Sequence, residues 1–550
     1  MPADATLLDQ WFDRGLAIAP DGPALSVGRR TLTYRALDEE TSALARPLAA
    51  AGRRRVGILA AKSVTAYAGF LAALRAGACA VPLAPDAPTE RLRAVAEAAR
   101  LDALVVDATG AAGLPALLPL LDPEAVIATD LTDLPPGVPI RRPGPPGPLS
   151  TPLRCSDDLA YLMFTSGSTG VPKGVPIRHR NISAYVGAAL ARHTLGPGDR
   201  FSQIYELTFD LSMSELFLAW GSGGCLCALN RLQALAPARL AGQRITVWHA
   251  TPSLAASLRI AGRLLPGCLP DARTTIFCGE PLSTGTARAW RRAAPGSLID
   301  NLYGPTEASV ACTGHIWEDH VDHVDHVDHV DHVDHVDHVD RENNAKRVDA
   351  GDTGGENDQD NLCADTVVSI GEPLPGVRIL VVDEAGAPAD TGELCLSGEQ
   401  VFTGYLDPAE DEGRFLDHGG HRWYRTGDLV RRGPRGLAHL GRTDTQLKIQ
   451  GYRVETAEVG NALRAAAPGA EVAVLAVAGD SGPQLVACLM GGPPVAQADV
   501  LRRAARSLPA YMLPRLLWWV PQPILNANGK VDRPYLRRVA ERRLASMQSS

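Results

Sequence analysis

Residues 54–107 read RRVGILAAKSVTAYAGFLAALRAGACAVPLAPDAPTERLRAVAEAARLDALVVD. Short apolar runs alternate here with stretches of helical period. RRVGILAA has the unbroken apolar character of a strand buried on both faces, and SVTAYAGFLAALRAG reads as a helix ending at Gly77. ACAVPLAP is a second strand, TERLRAVAEAARL a capped helix, and DALVVD a third strand. Strands joined through helices in this rhythm predict a parallel sheet covered on both faces. Similar units recur around residues 245–247 and 275–278. The Pro-rich stretch 134–152 reads as a connection, because strand-like sequence resumes directly after it.

Past Gly371 the texture changes. VRILVVD, GELCLSG and GLAHLGRTD are short strands separated by Gly, Pro and Asp turns, which predicts a β-rich subdomain. From about Thr445, LKIQGYRVE, AEVGNALRAAAPG, EVAVLAVAG and QLVACLMGG alternate strand and helix, the pattern of a small α+β domain. The expected fold class is α/β. A large N-terminal domain (residues 1–443) of stacked parallel and mixed sheets carries the β-rich subdomain, and a small α+β C-terminal domain (residues 444–550) follows a boundary at Asp444.

Composition narrows the function. With 550 residues, 45% hydrophobic and 21% charged, the chain has ample core and is not disordered throughout. No uninterrupted apolar stretch of about 18 residues offers a membrane span, and the N-terminus lacks the pattern of a signal peptide. Ten Cys without CxxC pairs fit a reducing, cytoplasmic setting. The net charge of −8 is concentrated in one place: residues 320–340 are seven His-Val-Asp triplets, whose seven Asp account for all but one of those charges. The remainder is nearly neutral, which argues against a nucleic-acid binder with a broad basic surface. The insert from about 318 to 365 reads as a disordered surface loop. Its period of three matches neither a helix nor a strand face, and its His residues carry no expected metal function. The last fifty residues hold ten Lys and Arg against two Asp and Glu, which reads as a solvated helix face or a docking surface for an acidic partner.

The chemistry concentrates in residues 161–174, YLMFTSGSTGVPKG. An apolar strand feeds a Gly-, Ser- and Thr-rich loop closing on Lys173, which offers backbone N–H groups, hydroxyls and an ammonium to phosphate oxygens. It is not a Walker A loop: Pro172 stands where the second Gly belongs, and Gly174 where Ser or Thr should follow Lys173. The segment resembles the phosphate loop of the adenylate-forming superfamily of acyl-CoA synthetases, luciferases and nonribosomal-peptide adenylation domains. NLYGPTE (301–307), YRTGDL (424–429), GRTDTQLKIQGYRVE (441–455) and NANGKVDR (526–533) follow in that family's order. The His-Val-Asp insert is the main departure, and it avoids every motif residue.

The resemblance implies roles residue by residue. Thr165, Ser166, Gly167, Ser168, Thr169, Gly170 and Lys173 would hold the ATP phosphates, with Gly279, Glu280, Asn301, Gly304 and Thr306 completing the nucleotide site. Tyr303 would lie against adenine, Asp428 would bind the ribose with Arg442 nearby, and Glu307 would coordinate Mg²⁺. Lys530 would be the catalytic lysine of adenylation. Lys448 would replace it when the C-terminal domain rotates about Asp444 and opens a path for a thiol.

Within residues 204–217 (IYELTFDLSMSELF), Asp210 matches the position that pairs with the ammonium of an amino-acid substrate; an Asp there also reads as a helix cap. Leu211, Ser214, His249, Ile276, Cys278, Leu302, Val310, Ala311 and Lys530 would complete a small pocket whose main hydrogen-bonding group is His249. The pocket resembles those of serine-activating domains, except at Ala311, where an acid is usual. Alanine, threonine or a nonproteinogenic small amino acid remain open, as does an acyl-CoA ligase of the same fold. No segment resembles a carrier-protein attachment site. The expected partner is therefore a separate carrier protein bearing phosphopantetheine, in nonribosomal peptide or antibiotic biosynthesis.

Overall fold

A computed structural model describes residues 7–122, 125–128, 140–141, 153–167, 172–237, 242–319, 366–444, 446–479, 482–493, 495–526 and 531–548. Ser168, Thr169, Gly170, Lys530 and the His-Val-Asp triplets lie outside them.

The predicted rhythm of residues 54–107 is present as strand Arg55–Leu59, helix Val64–Arg75, strand Cys79–Leu83, helix Thr89–Ala99 and strand Ala103–Val106, all three strands parallel. Ser63 caps the first helix by accepting a hydrogen bond from the Ala66 N–H. The second helix is not capped by a side chain. Its N-cap is Pro88, which has no side-chain acceptor, and Thr89 already lies inside the helix. These strands belong to a seven-stranded sheet that ends in Leu159–Thr165 and its antiparallel partner Lys173–Arg178. Ile140 and Arg141, within the predicted Pro-rich connection, form an edge strand beside Val126–Ala128.

A nine-stranded sheet is built around Arg200–Gln203, Cys225–Ala228, Val247–Ala250, Thr274–Phe277 and Leu298–Tyr303, mutually parallel. Helix Val64–Arg75 has ten of its twelve residues buried, and helix Leu211–Ser222 has all twelve buried. Helices apolar all round belong between layers. One hydrophobic cluster accordingly joins both helices to residues of both sheets, such as Ile58, Tyr161, Phe201 and Val247. The β-rich unit after Gly371 is a five-stranded antiparallel sheet, Val377–Val382, Thr391–Gly398, Phe415–His418, His421–Gly433 and Gly436–Arg442.

Past Asp444 come the hairpin Gln446–Ile449/Tyr452–Glu455 and a three-stranded sheet, Glu471–Val477, Gln484–Met490 and Leu516–Val520. Helices Thr456–Ala466, Gln497–Ala504 and Arg533–Gln548 accompany it. This unit has its own core around Val454, Leu463, Ala487 and Met512. Among the described residues, no helix is long and apolar enough to cross a membrane.

Candidate active site

In α/β sheets, ligands bind beyond the carboxyl ends of the parallel strands. Both large sheets deliver motif residues at such ends. Leu159–Thr165 runs into Ser166 and Gly167, and Val247–Ala250 carries His249. Thr274–Phe277 carries Ile276 and runs into Cys278, Gly279 and Glu280, while Leu298–Tyr303 carries Asn301, Leu302 and Tyr303. The registers His249 opposite Ile276 and Ile276 opposite Asp300 keep these ends level.

Asp210 occupies the N-cap position of the fully buried helix Leu211–Ser222, without a side-chain capping bond. Burial lifts its pKa to about 6, although a Thr306 hydrogen bond, the Lys448 charge and the Leu211 N–H favour the ionised form. A cavity of about 630 Å³ is lined by Asp210 together with Thr165, Ser166, Thr306, Tyr452 and Arg453. One cavity thus joins the phosphate loop, the candidate substrate carboxylate and the C-terminal unit.

Of the other expected pocket residues, Leu211, Ser214, His249, Ile276, Cys278, Leu302, Val310 and Ala311 are buried, and Lys530 lies outside the described residues. His249 Nε2 lies 3.1 Å from Ser214 Oγ, which lies 2.8 Å from the Tyr185 hydroxyl. Burial, aided by His193, lowers the His249 pKa to about 3, so the ring is neutral near pH 7. Its Nδ1 is buried without a partner among the described residues. Val310 has φ +83°, costly for a β-branched residue and a strain of the kind found at ligand sites. Gly304 is required by close packing, since a Cβ there would stand 2.5 Å from Ala311 Cα.

On the nucleotide side, Tyr303 donates its hydroxyl to Asp428 Oδ2 at 2.6 Å, and Asp428 also meets His439 at 3.0 Å and Arg442 at 2.8 Å. Burial opposes ionisation of Asp428, but His439, Arg442 and Lys448 outweigh it and hold the carboxyl well below the usual range. Arg442 also grips Asp444 at 2.8 and 2.9 Å. Asn301 donates to the Ser369 carbonyl, while its Oδ1 is buried without a partner among the described residues. Lys173 is ion-paired with Glu410 at 2.7 Å. Glu280 accepts from the backbone N–H groups of Ser253 and Gly451.

Glu307 fits a divalent cation. It is fully buried, and its pKa, which burial alone would raise, is lowered chiefly by Arg453. An ionised oxygen donor suits Mg²⁺, which takes one or two carboxylates and completes its shell with phosphates and water. Here Glu307 accepts hydrogen bonds from Arg453 Nη1 at 2.7 and 2.9 Å and from the Tyr405 hydroxyl.

Arg453 belongs to the C-terminal hairpin, whose two-residue turn has Gln450 at φ +52° and Gly451 at φ +84°, the signature of a type I′ connection. Lys448 pairs directly with Arg453 across the hairpin, so both side chains share one face. Lys448 Nζ lies 5.8 Å from the Tyr303 ring centroid, and its charge reaches Asp210, Glu280 and Asp428. The hairpin therefore stands over the nucleotide site. Arg453, His439, Tyr405 and Tyr185 escaped the sequence reading. The Gln-Gly turn, which fixes the Lys448–Arg453 pairing, was the signal available for the first.

The sequence model of the "AMP-binding enzyme" family matches residues 12–406. The chain belongs to this family. The L-proline--[L-prolyl-carrier protein] ligase of Pseudomonas fluorescens is 31% identical, over 97% of this chain and 99% of that protein. Tyrocidine synthase 3 of Brevibacillus parabrevis is 30% identical over 96% of this chain, which spans 8% of that protein; AMB antimetabolite synthetase AmbB of Pseudomonas aeruginosa, 32% identical over 97% of this chain, is spanned to 39%. Among solved structures, the Vibrio cholerae adenylation domain AlmE in complex with glycyl-adenosine-5'-phosphate aligns with a TM-score of 0.81 at 27% identity, covering 98% of this chain and 97% of that one. The layered α/β core and the β-rich subdomain described above are those of AMP-binding adenylation enzymes.

Proposed function

We propose that this AMP-binding enzyme activates a small amino acid, serine before others, as its aminoacyl adenylate, and transfers it to the phosphopantetheine thiol of a separate carrier protein. The observation that carries this reading is Asp210. A buried carboxylate lining a cavity shared with Thr165 and Ser166 of the phosphate loop is costly unless a cation joins it, and the ammonium of an amino acid supplies one. The relatives agree in kind: AlmE is solved with a glycyl adenylate, and the Pseudomonas fluorescens ligase is a prolyl-carrier protein ligase.

In the first half-reaction a carboxylate oxygen attacks the α-phosphorus of ATP and pyrophosphate leaves. The loop from Thr165 to Lys173 holds the phosphates, Tyr303 and Asp428 hold the nucleoside, and the Lys530 ammonium offsets negative charge as the two anions approach. Mg²⁺ held by Glu307 would neutralise phosphate charge. In the second half-reaction the C-terminal unit, turned about Asp444, brings Lys448 to the same centre. The thiol sulfur then attacks the acyl carbon and AMP leaves.

Serine is favoured by the neutral His249, which has one ring nitrogen without a partner among the described residues and can bond a hydroxyl. Apart from Asp210 and Lys530, the pocket positions offer no charge to complement a charged side chain. The test is exchange of labelled pyrophosphate into ATP over a panel of small amino acids. Serine should give the highest rate, above alanine, threonine and glycine. Exchange with fatty or aromatic acids alone would overturn the reading.

A further inference from the structure

His249 is neutral near pH 7, so one ring nitrogen carries a proton and the other is bare. Which is which decides whether the ring donates to a substrate or accepts from it. Two side chains bear on that choice: Tyr185, on helix His179–Arg192, and Ser214, on helix Leu211–Ser222. The Tyr185 hydroxyl lies 2.8 Å from Ser214 Oγ, which lies 3.1 Å from His249 Nε2. The three residues are 0%, 1% and 2% exposed, so water does not compete for these contacts. Burial also holds the Tyr185 phenol far above its ordinary pKa, so its proton stays on. Among the described residues, Ser214 is the one partner of the Tyr185 hydroxyl, and His249 Nδ1 has none.

The protons can be counted. If Tyr185 donates to Ser214 and Ser214 donates to Nε2, both contacts are hydrogen bonds and only the Nδ1–H is left over. If the chain runs the other way, from Nε2–H through Ser214 to the phenol oxygen, the phenol O–H and a bare Nδ1 are both left over. If both neighbours donate to Ser214, its own hydroxyl hydrogen and a bare Nδ1 are left over. Each unmade bond at a buried polar group costs about 1–3 kcal/mol, so the first arrangement is favoured. We propose that Tyr185, acting through Ser214, holds the His249 proton on Nδ1 and so makes His249 a hydrogen-bond donor to the substrate side chain.

Tyr185 is then a positioning residue for specificity, outside the expected pocket positions. The inference rests on the reading that His249 lines the amino-acid pocket, and it narrows the substrate class to small amino acids with an acceptor oxygen on Cβ. Serine supplies that oxygen; alanine leaves the buried Nδ1–H unpaired, and a site built around such a donor discriminates against the analogue that lacks the acceptor. Tyr185→Phe removes only the hydroxyl and keeps the ring. Ser214 loses the donor that fixes it, and its hydroxyl becomes free to turn to the Asp210 carbonyl four residues back, as helical serines do. Nε2 is then no longer held as an acceptor, and the proton can occupy either nitrogen.

Nitrogen-15 magnetic resonance of the whole enzyme, labelled at histidine and free of substrate, reads the tautomer directly, because protonated and bare ring nitrogens resonate far apart. The His249 resonances are those lost in His249→Gln. The parent should show Nδ1 protonated and Nε2 bare; the reverse would overturn the proposal whatever the activity. In Tyr185→Phe an Nε2-protonated form should appear. The ratio of kcat/KM for serine to that for alanine, read by pyrophosphate exchange, should fall about tenfold, with the KM for ATP within about twofold of the parent. An unchanged tautomer and ratio would remove Tyr185 from specificity. If Tyr185→Phe does not fold, Ser214→Ala, which cuts the chain at its middle, is held to the same outcomes. A parent faster with alanine than with serine would overturn the donor role. A parent that exchanges with no amino acid would overturn the functional reading and the substrate class with it, while the tautomer still decides the direction of the chain.

Discussion

At Asp210, burial and recognition act against each other. Burial lifts the carboxyl to about 6, so the empty enzyme carries its ionised form at a cost near neutral pH. Because the folded-state pKa is raised, the associated stability is fully present below the ordinary carboxylate value and is lost as pH rises through about 6. Substrate binding has the opposite sign, since only the carboxylate pairs with an ammonium. The Michaelis constant for the amino acid should therefore rise as pH falls below about 6, approaching about tenfold per unit. Asp210→Asn should remove that limb, weaken amino-acid binding by at least about 2 kcal/mol, and raise the melting temperature of the empty enzyme by about 1–3 °C at pH 7 but not at pH 4. Steady-state kinetics across pH 5–8 and paired melting curves would show it. An unchanged pH profile in Asp210→Asn would remove this carboxylate from recognition.

The hairpin Gln446–Ile449/Tyr452–Glu455 is the element on which the second half-reaction turns. Its turn pins the register, and the register sets Lys448 and Arg453 on one face toward Tyr303 and Glu307. Lys448→Ala should retain most pyrophosphate exchange, because adenylation uses Lys530, while carrier loading falls about tenfold or more for loss of a charge-assisted contact. Equal loss of both steps would refute the division of labour. Elements of this kind were legible because their signals are local: alternation, turn residues and buried apolar runs. The start of helix Thr89–Ala99 was misread for an equally local reason. Thr89 followed by Glu90 imitates a cap, but Pro88, with φ preset near helical values, takes the N-cap position. Tyr185 and His439 were not legible, because their contacts with Ser214 and Asp428 depend on how separate elements pack.

At the scale of the whole molecule, the site lies where two largely parallel sheets, the β-rich unit and the C-terminal unit converge. The long insert separates Asp319 from Thr366. Both flanks are anchored beside helix Thr284–Ala293. Asp319 pairs with Arg288 at 3.0 Å, Thr366 exchanges hydrogen bonds with Thr284, and the Val368 N–H donates to the Leu282 carbonyl. Removing residues 320–340 leaves residues 341–365 to span the same two anchors, and the entropy of closing so long a connection changes by only about 0.5 kcal/mol. Deletion also removes seven Asp and brings the net charge close to zero, which affects solubility before it affects the fold. The deletion enzyme should keep exchange and carrier loading within about threefold of the parent and melt within a few degrees of it. A protein that folds but no longer exchanges pyrophosphate would mean that the triplets take part in the reaction.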